Sequence, residues 1–444
     1  MRVGAGAVAL GPATKISFLD STRAQASPRP APPSDTLRFA SIGTGVRGCE
    51  DLATALRAKG TDMLAVCDLY DGRLIAAQEH AGKKLDTTKD YREILDRKDI
   101  DFVIVATADH WHAKIVEDAC AAGKDVYCEK PMTHAVSEGF QIIGAAQKYN
   151  RIVQVGSQRR SGITFAKAKE IYDSGALGQV TAVEAWIDRN DASGAWVYPV
   201  PPDANEQTID WERFLGNAPK QPFDAKKFFR WRAYQDFGDG LPGDLFVHLL
   251  TGIYTITGLE GPPQRAVSAG GLYRWLDGRD EPDLLWTLYT YPNFTVSIRC
   301  NLNNVYQSEI TRVYGTKGTL ELHDEESVTF IPQDTRPRPE RYSVQGWPKK
   351  LREEYWKQWR EEHPSSPLSS LTMVEESQTY RAPDEYDGDL AHMNNFLNSV
   401  RTRTPSDEGP VFGNWTAIAC HMANFSYFHK AAAVWDEQAR EIRA

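Results

Sequence analysis

Between residues 37 and 128 short apolar runs alternate with stretches of helical periodicity. Residues 37–42, 63–67, 102–106 and 125–128 are β-prone runs of strand length. Residues 49–58, 91–95 and 113–122 carry apolar positions at helical spacing. Strands alternating with helices predict a parallel, doubly wound α/β sheet covered by helices. Toward the other end, residues 390–400 and 415–433 again read as helices, joined by a Pro-bounded loop from Pro405 to Pro410. Residues 334–389 form a polar insertion. Within it residues 351–359, with Glu354 and Gln358 four apart beside Tyr355, Trp356 and Trp359, predict a surface helix.

The chain has 444 residues, enough for two or three domains at about 150 each. Lys+Arg 51 against Asp+Glu 60 gives a net charge of −9, which argues against a nucleic-acid protein. No apolar run is long enough for a membrane span. The six cysteines are scattered without a C-x-x-C pair, so neither a disulfide framework nor a metal site is expected. Residues 1–35 differ from the rest. An apolar stretch at 3–10, a small-x-small site at Ala24-Gln25-Ala26 and a Pro-rich arm at 27–33 read as a signal-like segment. The opening resembles the interior of a twin-arginine signal whose arginine pair would lie just upstream. Export to the periplasm is the expectation, with a cytoplasmic protein carrying an Ala/Gly-rich tail as the alternative.

The first strand runs directly into Gly43-Thr44-Gly45-Val46-Arg47-Gly48, and a helix follows. G-x-G-x-x-G in that context is the dinucleotide fingerprint. Gly43 permits a tight turn, Gly45 lets backbone approach a pyrophosphate, and Gly48 lets the helix pack closely. Val46 and Arg47 open the helix whose N-terminus faces the phosphates. Asp68 ends the second strand, twenty residues beyond Gly48, and suits the adenosine ribose hydroxyls. Its charge would repel a 2′-phosphate, which favours NAD, while nearby Arg73 leaves NADP open.

Several segments resemble the Gfo/Idh/MocA oxidoreductases, the family of glucose–fructose oxidoreductase and inositol dehydrogenase. They are Ala106-Thr107-Ala108-Asp109-His110-Trp111-His112, Val126-Tyr127-Cys128-Glu129-Lys130-Pro131, Ser157-Gln158-Arg159-Arg160, Phe229-Arg230-Trp231-Arg232, Gly243-Asp244-Leu245-Phe246-Val247-His248 and Tyr314-Gly315-Thr316-Lys317-Gly318. Glu-Lys-Pro is the most specific of these. The resemblance implies a Rossmann domain (residues 36–155) and a substrate domain (156–444) with a large open, mainly antiparallel sheet that pairs subunits into dimers or tetramers. It also implies that the C-terminal helices pack back on the first domain, and that Lys130 stands beside the nicotinamide with Asp244 and His248 opposite. Thr107, Trp111, His112 and Glu129 join Lys130 as candidate contacts to a tightly held cofactor. His110 is expected to be more exposed than its neighbours.

Removing hydride from a secondary alcohol also requires a group for the hydroxyl proton. Asp244 and His248, four apart, share one face of a helix, and imidazole titrates near neutrality. Taken alone the two also read as a surface pair. Arg159, Arg160, Trp231, Arg232 and Tyr234 are candidates for a sugar site. Thr251 stands where many family members carry Asp, so one substrate hydrogen bond is expected to be missing. The leading expectation is an NAD(P)-dependent oxidoreductase acting on a sugar, glycoside or cyclitol. A glycosidase working by transient oxidation at C3, as in glycoside hydrolase family 109, is the alternative. A non-catalytic sugar or nucleotide sensor is a lesser one.

Overall fold

The computed structural model describes residues 36–364, 366 and 376–444. The signal-like reading of residues 1–35 therefore lies outside the described residues. Six strands form the first sheet: β1 (Leu37–Ile42), β2 (Thr61–Cys67), β3 (Asp86–Thr88), β4 (Phe102–Val105), β5 (Asp125–Glu129) and β6 (Val153–Gly156). Their order is β3-β2-β1-β4-β5-β6, and every pairing is parallel. The central strand β4 is Phe-Val-Ile-Val, buried throughout, as a strand covered on both faces requires. Strand order reverses between β1 and β4. A crevice opens at their carboxyl ends, where ligands bind in open α/β sheets.

The second sheet has ten strands: β7 (Val180–Asp188), β8 (Arg265–Gly271), β9 (Leu284–Thr290), β10 (Thr295–Asn301), β11 (Glu309–Gly315), β12 (Gly318–His323), β13 (Ser327–Pro332), β14 (Gln378–Arg381), β15 (Ala433–Asp436) and β16 (Glu441–Arg443). They lie in the order β14-β13-β12-β11-β7-β10-β9-β8-β15-β16, antiparallel except for β7 beside β10. Period-two alternation separates its faces. Leu285, Tyr289, Val296, Ile298 and Cys300 point inward to a core shared with the helices Ile163–Asp173, Val247–Thr257 and Pro410–His429. Trp286, Leu288 and Val267 point outward and stay exposed. On that outer face Arg299 lies over the rings of Trp186 and Trp286, at 5.2 and 5.4 Å from their centroids.

The insertion does carry a helix, Lys349–Glu362. At the C-terminus helix Gly388–Thr402 sets Phe396 against Phe102 (5.3 Å) and Tyr127 (5.7 Å) of the first sheet. The last helix ends at His429, earlier than periodicity indicated. Ala433 instead starts a hairpin that extends the large sheet beside β8. Its apolar residues cover a sheet edge, a role that a short window shares with helix.

The excursion between β7 and helix Val247–Thr257 crosses the mouth of the crevice. Ile209 bridges Tyr70, the main-chain N–H of Asp71 donates to Thr208 (3.1 Å), and that of Asp210 donates to Leu69 (2.9 Å). The Tyr70 hydroxyl donates to Asp203 (2.6 Å), and the Trp111 indole donates to the Phe214 carbonyl (2.9 Å). The result is a cavity of about 680 Å³ roofed by the second domain.

Candidate active site

One wall of the cavity is backbone. Gly43 sits at φ +87°, where a Cβ would come within 2.5 Å of the Ala106 carbonyl oxygen. A Cβ on Gly48 would overlap the Gly43 carbonyl oxygen. Both positions require glycine for helix Val46–Arg57 to start this close to β1 and β4. Asp68 accepts from the Thr44 N–H (2.8 Å) and the Tyr70 N–H (3.0 Å) and stands 3.8 Å from Arg73. Arg73 in turn lies over Phe228 and Phe229, 5.1 Å from each ring centroid. A glycine-lined approach, a helix N-terminus and a carboxylate after β2 fit a dinucleotide, with pyrophosphate at Gly45–Arg47 and ribose at Asp68.

The floor is braced by charge. Buried Glu129 accepts from Arg47 Nε (3.0 Å), Gln158 Nε2 (3.1 Å) and the Lys130 N–H (3.1 Å). Arg47 also pairs with Asp51 at 2.8 Å and reaches Asp389 at 3.5 Å. Burial would lower its pKa, but Glu129 and Asp51 more than reverse this, so it stays cationic. The Lys130–Pro131 peptide is cis.

On the second-domain side the side chains converge on Asp244. Its Oδ1 accepts from Lys130 Nζ (3.0 Å) and Arg232 Nε (2.9 Å), and its Oδ2 accepts from the Trp196 indole (2.9 Å). Lys130 Nζ also donates to the Asp244 carbonyl (2.8 Å). Burial would raise the pKa of this carboxyl, but the charges of Lys130, Arg232 and Arg189 outweigh it and hold Asp244 ionised. Trp196 is fully buried at φ +60°, a backbone conformation that bulky residues avoid and that gathers at functional sites.

Gly43, Gly45, Val46, Arg47, Gly48, Asp68, Arg73, Thr107, Trp111, Trp231, Arg232 and Asp244 share this one cavity. Lys130 lies just behind its lining, bonded to Asp244. His248 also stands outside the lining, and its imidazole has no hydrogen-bond partner among the described residues. Asp244 thus does not orient His248, as the i,i+4 spacing suggested. A π-helical turn at Pro242–Phe246 precedes the helix, and its i→i+5 winding breaks the i,i+4 alignment. Burial, with the charges of Lys130 and Arg159, pushes the His248 pKa down and keeps the ring neutral.

Five other candidates stand outside the lining, Glu129 of the charged floor among them. His112 is buried, its Nδ1 2.8 Å from the Pro131 carbonyl and its Nε2 3.2 Å from that of Thr107, so it ties those two loops together. Arg159 is buried among Glu309, Asp324 and Glu325. Arg160 lies over Phe412, and Tyr234 is buried with Lys227 over its ring. Thr251 is wholly buried on Ser157 (3.0 Å) rather than at the cavity. His110 is half-buried, more exposed than buried Asp109 and His112. Its Nε2 meets the Phe214 carbonyl at 2.8 Å, and burial lowers its pKa to about 4. Trp196, Tyr198 and Arg189 were missed, because no local motif marks residues that arrive from a long irregular segment.

Residues 37–157 match the family model described as oxidoreductase family, NAD-binding Rossmann fold, and residues 165–321 match the Gfo/Idh/MocA C-terminal domain. The chain belongs to the Gfo/Idh/MocA family. Inositol 2-dehydrogenase of Salmonella typhimurium strain LT2 is 34% identical over 146 residues, 32% of this chain and 44% of that protein. Alpha-N-acetylgalactosaminidase of Shewanella oneidensis is 32% identical over 162 residues, 32% of this chain and 35% of that protein. The chain thus spans less than half the length of the curated relatives it matches. Levoglucosan dehydrogenase, solved with NADH and levoglucosan, has the same fold at TM-score 0.64 and 16% identity, covering 89% of this chain and 98% of that one. Aldose-aldose oxidoreductase from Caulobacter crescentus, solved with glycerol, gives 0.63 at 17% identity, covering 90% and 99%. Among the described residues no helix is long and apolar enough to cross a membrane, and no cluster of His, Cys, Asp or Glu could hold a metal ion.

Proposed function

We propose that this chain is an NAD-dependent oxidoreductase acting on a secondary hydroxyl of a sugar, glycoside or cyclitol. The observation that carries this is that Asp244, bonded to Lys130 and Arg232, lines the same cavity as the glycine loop and Asp68. The glycine loop and Asp68 would hold NAD, which would supply the hydride acceptor for the carbinol carbon. Two of the three ammonium hydrogens of Lys130 go to Asp244, which leaves the third for the substrate hydroxyl. His248, neutral and with no hydrogen-bond partner among the described residues, takes the hydroxyl proton. Asp244 stays ionised throughout and fixes Lys130 and Arg232. Asp68 would meet a 2′-phosphate with like charge, so NAD is assigned over NADP. The segment bridging Tyr70 and Ile209 roofs the cleft, and we assign it the retention of a tightly bound cofactor. The outer face around Trp186, Trp286 and Leu288 is assigned to packing against a second copy of the chain.

The test is NMR of the protein with NAD and aryl and methyl pyranosides in deuterated water. Keto-sugar rising in step with NADH is the expected result. Free sugar carrying deuterium at C2, with no net NADH, would instead establish a redox glycosidase. The roofed cavity favours that second reading, because it suits a cofactor regenerated in place.

A further inference from the structure

On the second-domain side of the cavity the charges do not balance. Lys130, Arg189 and Arg232 face one carboxylate, Asp244, whose two oxygens are already taken by Lys130, Arg232 and Trp196. Arg189, the first residue after β7, lines the cavity and is anchored by its main-chain N–H on the Asn301 carbonyl (2.8 Å). Its guanidinium has no ion pair and no hydrogen bond among the described residues. Arg232 gives only Nε to Asp244. Its plane lies over Trp231 at 4.2 Å, and its terminal nitrogens bond no protein atom among the described residues. Tyr198 lines the same region, and its hydroxyl also has no protein partner there. The cavity's other cations each have a carboxylate: Arg47 has Glu129 and Asp51, Arg73 has Asp68, Lys89 has Asp71, Arg92 has Asp90, Arg213 has Asp90 and Asp210, and Lys220 has Glu212. The excess positive charge is therefore confined to the substrate side.

A neutral sugar offers nothing to offset uncompensated cations removed from water. Guanidinium groups with free terminal nitrogens match the paired oxygens of a carboxylate or sulfate. We propose that the substrate is a sugar bearing an anionic oxygen group, a carboxylate or a sulfate, held by Arg189 and the free edge of Arg232. This rests on the oxidoreductase reading for the reaction, but the anion site is testable by binding alone.

The experiment titrates NAD-loaded protein calorimetrically with methyl glucoside, methyl glucuronide and methyl glucoside 6-sulfate, and follows NADH in parallel. Wild type is expected to bind one or both acidic glycosides about 10- to 100-fold more tightly than the neutral one, the scale of a charge-assisted contact. The stronger acidic ligand decides between carboxylate and sulfate. Arg189→Gln is expected to erase the preference while NAD content stays stoichiometric, and Arg189→Lys to keep part of it. Equal binding of neutral and acidic glycosides by wild type overturns the proposal. Loss of NAD from both folded variants also overturns it, because Arg189 would then serve the cofactor. Acid binding that depends on Arg189, with no sugar reducing NAD, keeps the anion site and sinks the oxidoreductase reading.

Discussion

The two walls of the cavity are built on opposite plans. The dinucleotide wall is made of backbone within one strand–turn–helix, plus a single carboxylate one strand away. The Asp244 wall is made of side chains from residues 130, 189, 196, 232 and 244, brought together by the second domain. The first can be specified by spacing, because glycine tolerances are set by nearest neighbours. The second exists only when two domains and a long irregular segment are in place. Local changes should therefore fall on one function at a time, binding of the dinucleotide or turnover of the bound substrate.

The sharpest attempt to break that separation is Lys130→Met. It is expected to lower the single-turnover rate of NAD reduction about 1,000-fold, the scale of a lost charged donor to the developing alkoxide. Bound NAD, quantified after denaturation, should be unchanged, and parallel loss of NAD would show that the walls are not separable. Gly48→Ala is the converse. Its methyl group collides with the Gly43 carbonyl, so NAD affinity measured by calorimetry should fall about 10- to 100-fold, the equivalent of overpacking. Asp68→Asn should weaken NAD about tenfold and NADP less, which moves the ratio of the two affinities. Trp196→Phe removes the donor to Asp244 Oδ2 together with part of a fully buried ring. A drop of several-fold in kcat/KM at constant NAD content is expected.

The smallest effect lies at the seam between the walls. Glu408 is wholly buried, accepting from Ser157, whose hydroxyl also meets Thr251. Burial pushes its carboxyl up to about 8 from an ordinary 4.5. The native state keeps a proton that the unfolded chain releases above about pH 4.5, so this group costs stability as pH rises from there toward 8. Glu408→Gln should stabilise the protein at pH 8 and change it by almost nothing at pH 4.5, read from urea unfolding at both pH values.

What was legible follows the same division. The alternation of apolar strand and amphipathic helix, the G-x-G-x-x-G turn and Asp68 were readable because each is local. Glu129-Lys130-Pro131 and Asp244 were readable through family resemblance, but their mutual bonding was not. The i,i+4 spacing tied Asp244 to His248, whereas the π-helical turn and three distant donors tie it to Lys130, Arg232 and Trp196. His112 and Arg159 are polar residues beside the right motifs, yet their partners are main-chain carbonyls and carboxylates of the protein itself. The second sheet's order places β7 beside β10 and joins β15 to β8, long-range pairings that no window of sequence contains.

The most direct test of the account follows one atom from the second wall to the first. NAD-loaded protein is mixed with a glycoside panel deuterated at each ring carbinol carbon, and the dinucleotide is recovered for mass spectrometry. Reduced dinucleotide one mass unit heavier is expected for one labelled position, abolished by Lys130→Met without loss of NAD. Dinucleotide that is never reduced, or reduced without the label, would contradict it.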